Sequence, residues 1–303
     1  MSAYLFVHFT SKTRDREHIW FALSRDGLNW TDLGGDEPVL SAKLGTKGIR
    51  DPFIVYDEKL KKYFIIATDL NTTSNNWYKF SHKGSRSLFV WESEDLINWS
   101  EERLIEVGIK NAGCVWAPEA IFCKEKDAWF VFFASCVREK GELHHKQRIY
   151  GAFTKDFKVF TPTFKFIDAK TDVIDTNIVF DNGYYYRFSK DETNKKITIE
   201  RSTELIAEKW ESIHSDVFSA FYGLEGPEAY YLDDMQKWCV IADQYHKNCG
   251  YTPFLCDDLS SGNFVQLHND QYDMGKRKKR HGGVIKITDE QYEKLIEHFG
   301  IDE

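Results

Sequence analysis

Three acidic residues stand at the openings of apolar, strand-like segments: Asp51 in "RDPFIVYD", Asp175 in "IDTNIVFD" and Glu225 in "EGPEAYYL". Two are tied to turn-forming residues, Pro52 after Asp51 and Gly226-Pro227 after Glu225, which fix the backbone and aim the side chain ahead of them. Brought together, three carboxyl groups suit the hydrolysis of a glycosidic bond. One acid must give a proton to the leaving oxygen, and one carboxylate must activate water on the opposite face of the sugar. In inverting enzymes the two are roughly 6.5–9.5 Å apart. A third carboxylate raises the proton affinity of the acid by like-charge repulsion and can orient it. Taken singly, Asp-Pro and Gly-Pro are ordinary turn starts. Asp172, Glu119 and Glu228 lie close to the three motifs, and the first reads as loop while the other two stay outside the catalytic set.

Residues this far apart in sequence need a closed architecture to meet. Four segments share one plan of an apolar strand, a charged or Gly hairpin and a second apolar strand: "RDPFIVYDEKLKKYFIIATDL", "WAPEAIFCKEKDAWFVFFAS", "IDTNIVFDNGYYYRFSKD" and "EGPEAYYLDDMQKWCVIADQY". Each continues into a third strand and then an edge segment, "SEDLINW", "TKDFKVF", "STELIAEKW" or "CDDLSSGNF". Openings recur every roughly 50–66 residues with four strands to a unit, the signature of a propeller. A fifth unit is split: "YLFVHFT" to "GLNW" supplies three strands and "HGGVIKIT" the missing first one, which closes the ring. The expectation is an all-β, five-bladed β-propeller over residues 1–303 as a single domain, with one short C-terminal helix in "TDEQYEKLIEHFG" capped by Thr288, Gln291 and Gly300.

First strands line the channel of a propeller and start at one end, so Asp51, Trp116, Asp175, Glu225 and His281 are expected around one mouth. Second strands return to it, bringing Asp69, Ser135, Lys190 or Asp191, and Asp243 with Gln244. Of these, Trp116, Asp69, Ser135, Lys190 and Asp243, together with Phe53, are the expected sugar contacts. Trp77, in a polar insertion, reads equally as a sugar platform or an apolar plug.

Composition narrows the partners. Aromatic residues make up 16% of the chain, which suits strands and sugar faces alike. The net charge of −8 argues against nucleic acid. The exception, Lys276-Arg277-Lys278-Lys279-Arg280, reads as a solvated loop. Six cysteines without a C-x-x-C pair read as reduced core thiols. No apolar run suggests a membrane span or a leader peptide, so a cytoplasmic location is expected. His144, His145 and His246 read as surface residues, and there is no phosphate loop, nucleophile elbow or H-E-x-x-H.

The ordered set "RDPF", "WAPEAI", "IDTNIVFDNGYYYRFSKD", "EGPEAYYL" and "RHGGV" resembles glycoside hydrolase family 43, five-bladed propellers that cleave arabinose- and xylose-containing polysaccharides with inversion. The resemblance spans nearly the whole chain. It implies that Asp51 is the general base, Asp175 the residue that tunes and orients the acid, and Glu225 the general acid. Trp116 falls where the family presents a ring to the sugar. His281 matches a histidine near the axis that in many members helps hold calcium or another ion through water; no cofactor is otherwise required. Two departures stand out: Thr176 replaces the usual proline after the tuning aspartate, and a run of about fifty residues precedes the base motif, assigned to the split blade.

The resulting expectation is an inverting exo-glycosidase removing α-L-arabinofuranosyl units from arabinan or arabinoxylan fragments derived from plant cell walls. A β-xylosidase or galactosidase of the same family is the alternative, and a non-catalytic sugar-binding propeller a more distant one. The related fructosidases lack support, because their "NDP" and Glu-Cys elements are absent.

Overall fold

A computed structural model describes residues 3–10 and 17–302. Among the described residues, twenty strands form five four-stranded antiparallel sheets. Blade I holds β1 (Ala3–His8), β2 (Trp20–Ser24) and β3 (Trp30–Asp32). Blade II holds β4 (Ile49–Asp57), β5 (Lys62–Asp69), β6 (Ser87–Ser93) and β7 (Arg103–Glu106), with helix α1 (Trp77–Lys83) between its middle strands. Blade III holds β8 (Trp116–Cys123), β9 (Ala128–Val137), β10 (Lys146–Thr154) and β11 (Phe164–Ile167). Blade IV holds β12 (Val173–Asp181), β13 (Tyr184–Asp191), β14 (Lys196–Ser202) and β15 (Glu211–Ile213), followed by α2 (Asp216–Ala220). Blade V holds β16 (Glu225–Leu232), β17 (Lys237–Asp243), β18 (Tyr251–Cys256) and β19 (Val265–Gln266). The chain then returns to blade I as β20 (Gly282–Ile287), which pairs antiparallel with β1 from Ala3–Ile287 to His8–Gly282, and ends in α3 (Asp289–Phe299). The five-bladed propeller, its split blade and the capping box of Thr288 and Gln291 are as expected from sequence.

What binds the ring is apolar packing between successive blades rather than within them. Among the described residues, one cluster fills each junction. Leu5, Phe21, Ile65 and Trp91 join blades I and II, and Val90, Phe133 and Phe157 join II and III. Phe132, Ile149 and Tyr185 join III and IV, Phe188 and Phe254 join IV and V, and Phe6, Trp30 and Tyr251 join V to I. Strands buried on both faces explain why β9 reads as the unbroken apolar run "AWFVFFASCV". All six cysteines are free, and five are buried.

The shared edge segments are not the fourth strands. Those follow a few residues later, as β7, β11, β15 and β19. In blades I to III the shared sequence is a side-chain-capped turn. Asp26 accepts from the N–H groups of Leu28 and Asn29, Asp95 from Ile97 and Asn98, and Asp156 from Lys158 and Val159. A short acid two residues after a Ser or Thr satisfies the turn's amides, so the likeness reflects turn chemistry and not strand pairing.

The basic run is likewise not a solvated loop. Lys279 is buried, with its Nζ 2.6 Å from Asp32 Oδ1. Arg277 lies over the Trp20 ring and pairs with Asp302, and Arg280 enters the central pocket. Buried acids supplied by other elements neutralise these cations, and a composition argument cannot see those acids.

Candidate active site

Four of the five inner strands open with the same backbone device. Asp51, Ala117, Asp175 and Gly226 have φ of 48°, 46°, 47° and 53°, and at each the register slips against the neighbouring strand. Such a bulge re-aims the side chains on either side of it. Three of the four residues are not glycine and hold a left-handed conformation that costs roughly 1–2 kcal/mol. Thr176 follows Asp175 where Pro52, Pro118 and Pro227 follow the others, and the conformation is kept, so proline is not needed for it. Glycine at 226 serves a second end, since a Cβ there would lie 2.8 Å from the His281 ring.

The bulge also corrects the alignment of the motifs. Asp51 and Asp175 occupy the left-handed position, whereas Glu225 and Trp116 stand one residue earlier, equivalent to Arg50 and Ile174. Acids from three blades therefore reach the mouth from two different backbone positions. All three line one pocket of 350 Å³ with Phe9, Arg50, Leu70, Trp77, Trp116, Ile174, Lys190, Glu192, Lys195, Tyr245, Arg280 and His281. A larger depression, of 630 Å³, on the outside of blade III brings together Phe153, Phe160 and Phe164, but its one acid, Asp156, is committed to the turn.

Each acid is held in place by groups from its own blade or a neighbouring one. Thr68 Oγ1 donates to Asp51 Oδ2 at 3.0 Å while accepting from the N–H of Ala117 at 2.7 Å. Asp175 Oδ2 accepts from the N–H of Gly226 at 3.1 Å, which ties it to the backbone beside Glu225. Glu225 is gripped at both oxygens: Lys190 Nζ lies 2.9 Å from Oε2 and Arg280 Nη2 2.9 Å from Oε1. Burial works to raise Glu225, but Lys190 and Arg280 outweigh it and hold the carboxyl below its ordinary range. Burial carries Asp175 the other way, up to about 6, with the charges of Glu225 and Asp51 adding to the rise. The pair thus keeps its negative charge on Glu225 and binds a proton more readily at Asp175.

Below the mouth lies a second set of acids. Asn177 Nδ2 donates to Glu119 Oε2 at 2.8 Å and to Glu228 Oε2 at 2.7 Å, and Glu228 Oε1 accepts from the N–H of Val284 at 2.7 Å. Burial pushes Glu119 to about 7 and Glu228 well above its ordinary value. His281 joins the two sets, with Nδ1 3.6 Å from Asp51 Oδ1 and 4.0 Å from Asp175 Oδ1, and Nε2 3.5 Å from Glu119 Oε1. Burial disfavours its charge, yet the hydrogen bond to Glu119 and the charges of Asp175 and Asp51 raise it to about 10. A protonated ring has no lone pair for an ion, and it already neutralises these acids. Among the described residues no group of three or more His, Cys, Asp and Glu side chains is arranged to hold a metal.

Of the expected sugar contacts, Trp116 and Lys190 line the pocket. Trp77 also lines it, half exposed, with its ring 6.4 Å from that of Trp116 and nearly perpendicular to it. The others do not. Asp69 is buried and accepts from the N–H and Oγ1 of Thr46, so it anchors a loop. Ser135 is buried and donates to the carbonyl of Cys114. Phe53 packs in the cluster between blades II and III. Asp243 is buried behind the wall, paired with Arg280 Nε at 2.9 Å.

Register explains these errors. Lys190 faces Ile174 and Asp243 faces Glu225, so their equivalents in blades II and III are Thr68, facing Arg50, and Ala134, facing Trp116. Asp69 and Ser135 lie one residue further on, and a one-residue step turns a side chain to the other face. Thr68, Lys190 and Asp243 all reach to the next blade, and the hairpin register would have picked out Thr68. Arg280 was hidden in the basic run, and Arg50, Glu192, Lys195 and Tyr245 carry no signal apart from proximity to the motifs.

With this geometry in view, the comparisons with known proteins decide the family. Residues 1–293 match the family model for glycosyl hydrolase 43-related proteins, described as "Probable glycosyl hydrolase domain". The chain belongs to that family. An α-L-arabinofuranosidase of Bifidobacterium longum is 32% identical over 235 residues, covering 68% of this chain and 22% of the relative. The chain therefore spans about a fifth of that relative's length. Among solved structures, the catalytic domain of a family-62 α-L-arabinofuranosidase from Coprinopsis cinerea is similar at a TM-score of 0.56 and 12% identity, covering 80% of this chain and 76% of that one. An exo-β-1,3-galactanase from Phanerochaete chrysosporium is similar at 0.54 and 17%, covering 78% of this chain and 53% of that one. At such identities these two structures bear on the fold alone.

Proposed function

We propose that this family member is an inverting, exo-acting glycoside hydrolase that releases α-L-arabinofuranosyl units from arabinan- or arabinoxylan-type oligosaccharides of plant cell walls. The observation that carries the reading is the meeting of Asp51, Asp175 and Glu225, from three different blades, in one pocket. Asp51 takes a proton from water, whose oxygen bonds to the anomeric carbon as the glycosidic bond breaks. Glu225 gives its proton to the departing oxygen. Asp175, tied to the N–H of Gly226, orients Glu225 and shares its proton. Afterwards the proton on Asp51 passes to solvent and the acid is recharged.

Two features support exo action on a small sugar. The floor is closed by His281 over the Glu119–Asn177–Glu228 set, so the channel is not a through-groove at this depth. The volume of 350 Å³ lies near the lower end of small-molecule pockets. Trp116 and Trp77 supply apolar faces for sugar C–H groups. The arabinofuranosyl identity is supported by the Bifidobacterium longum relative. A xyloside or galactoside, the other activities expected within the family, is the second reading.

The test is a Glu225→Gln variant assayed on arabino-oligosaccharides, with arabinofuranoside, xyloside and galactoside panels in parallel and product configuration followed by NMR. Loss of a general acid should lower turnover about 10²–10⁴-fold. Retained anomeric configuration, or undiminished turnover in the variant, would overturn the mechanism. Preference for the xyloside or galactoside would move the assignment to the second reading.

A further inference from the structure

The mouth contains a contradiction that the proposed chemistry must resolve. A general acid has to carry a proton, yet Glu225 lies between two cations that favour its ionised form. Each cation also has a second carboxylate. Arg280 spans Glu225 Oε1 and Asp243 Oδ2, both at 2.9 Å, and Lys190 spans Glu225 Oε2 at 2.9 Å and Glu192 Oε2 at 2.7 Å.

The two bridges differ in what they can give up. Arg280 uses separate nitrogens of a rigid planar fork, and Asp243 is fully buried on β17, in register with Glu225 itself. Lys190 holds both partners with a single ammonium on a flexible stem, and an ammonium can keep one acid while releasing another. Its second partner is also less buried than Asp243. Glu192 stands in the turn after β13, its side chain 30% exposed, lining the pocket and paired with Lys195 as well. Lys190 is itself only 3% exposed and lies 4.5 Å above the Tyr245 ring, so it does not escape into solvent.

We propose that Lys190 is a positioning residue that holds Glu225 as a carboxylate until a glycoside docks and then shifts onto Glu192. Glu225 is then left to take up the proton it delivers to the leaving oxygen. The proton comes from Asp175 or from solvent, and no other bond changes. The inference rests on the reading of Glu225 as the acid. The charged groups facing Glu225 are Lys190 from β13, Arg280 from the segment before β20, Arg50 from β4, Asp175 from β12 and Asp243 from β17. Of these, only Lys190 has an alternative anchor on the pocket wall.

The experiment compares the full chain with Lys190→Met and Glu192→Gln. The first readout is the pH profile of kcat/KM on an arabino-oligosaccharide, whose poor leaving group needs the acid. Removing an opposite charge at this distance should move the basic limb of Lys190→Met up by about 1–3 pH units. In Glu192→Gln the cation is left to Glu225 alone, and the limb should move down. The second readout is the ¹³C titration of the Glu225 carboxyl, identified by its loss in Glu225→Gln. Its midpoint should rise in Lys190→Met and fall in Glu192→Gln whether or not the protein turns over arabinosides. The NMR result therefore separates failure of this inference from failure of the functional reading. A folded Lys190→Met with limb and midpoint unmoved overturns the proposal. If that variant does not fold, an unmoved limb and midpoint in Glu192→Gln overturn it instead.

Discussion

The central channel holds two sets of acids, and they differ in what neutralises them. At the mouth, Glu225 meets two cations, and its companions Asp51 and Asp175 accept from a hydroxyl and a backbone N–H. Below, Glu119 and Glu228 share one amide donor, Asn177, and their carboxyl groups are pushed up by burial. The same residue type is thus held below its ordinary range at Glu225 by two cations and pushed above it at Glu119 and Glu228 by burial. His281 reaches carboxylates of both layers. Acids alone do not mark a site; the deciding feature is whether cations and an open pocket accompany them.

The sharpest way to break this comparison is to remove the amide that organises the lower set. Asn177→Leu takes the donor from both Glu119 and Glu228 and the acceptor from the N–H of Ala229. Each buried polar group left unpaired costs about 1–3 kcal/mol, with incomplete additivity, so a loss on the order of 3–5 kcal/mol is expected. Urea unfolding should show a lower midpoint at unchanged slope. A loss below about 1 kcal/mol would mean that the lower acids are hydrated and not sealed, and the contrast between the layers would fail.

A smaller effect separates the layers by pH. Burial raises Glu119 from 4.5 to about 7. The folded state therefore binds this proton more tightly than the unfolded chain. The stability so linked is fully present below pH 4.5 and is lost as pH rises through about 7. Glu119→Gln cannot titrate. Relative to the parent, it should gain on the order of 1–3 kcal/mol between pH 4.5 and pH 7 in chemical unfolding, flattening the stability curve. A parallel pair of curves would show that the carboxyl is already ionised in the fold.

How far these layers could be read from the sequence follows from the same physics. Blade order, the split blade and the three mouth acids were legible because strand patterns, turn residues and a repeat are local signals. The split first strand was found because "HGGVIKIT" has a strand's composition and no partner nearby. What was not legible depends on partners across blades. Asp69 and Ser135 were mistaken for pocket residues because register, one residue out, decides the face. Lys279 and Arg280 looked solvated because Asp32 and Asp243, which neutralise them, are distant in sequence. The place of Glu225 immediately before Gly-Pro sets it apart from Glu119 and Glu228 in sequence, but that those two share the amide of Asn177 below the mouth is visible only in the fold.

The smallest effect probes how the mouth depends on its neighbours. Thr68 is the register equivalent of Lys190 and Asp243, and its hydroxyl bridges Asp51 Oδ2 and the N–H of Ala117. Thr68→Val keeps the shape but removes the donor to Asp51 and orphans one amide, at a cost of about 1–2 kcal/mol in stability. Asp51 loses a fixed orientation, and kcat should fall about tenfold, since misplacing a reacting group by a fraction of an ångström is felt directly in rate. Thr154→Val is the matched control. Its hydroxyl accepts from the N–H groups of Asp156 and Phe157 in a peripheral turn, so it should lose comparable stability with kcat unchanged. If both variants lose activity alike, the tenfold fall reflects general loosening of the ring, and the threonine contact has no special hold on Asp51.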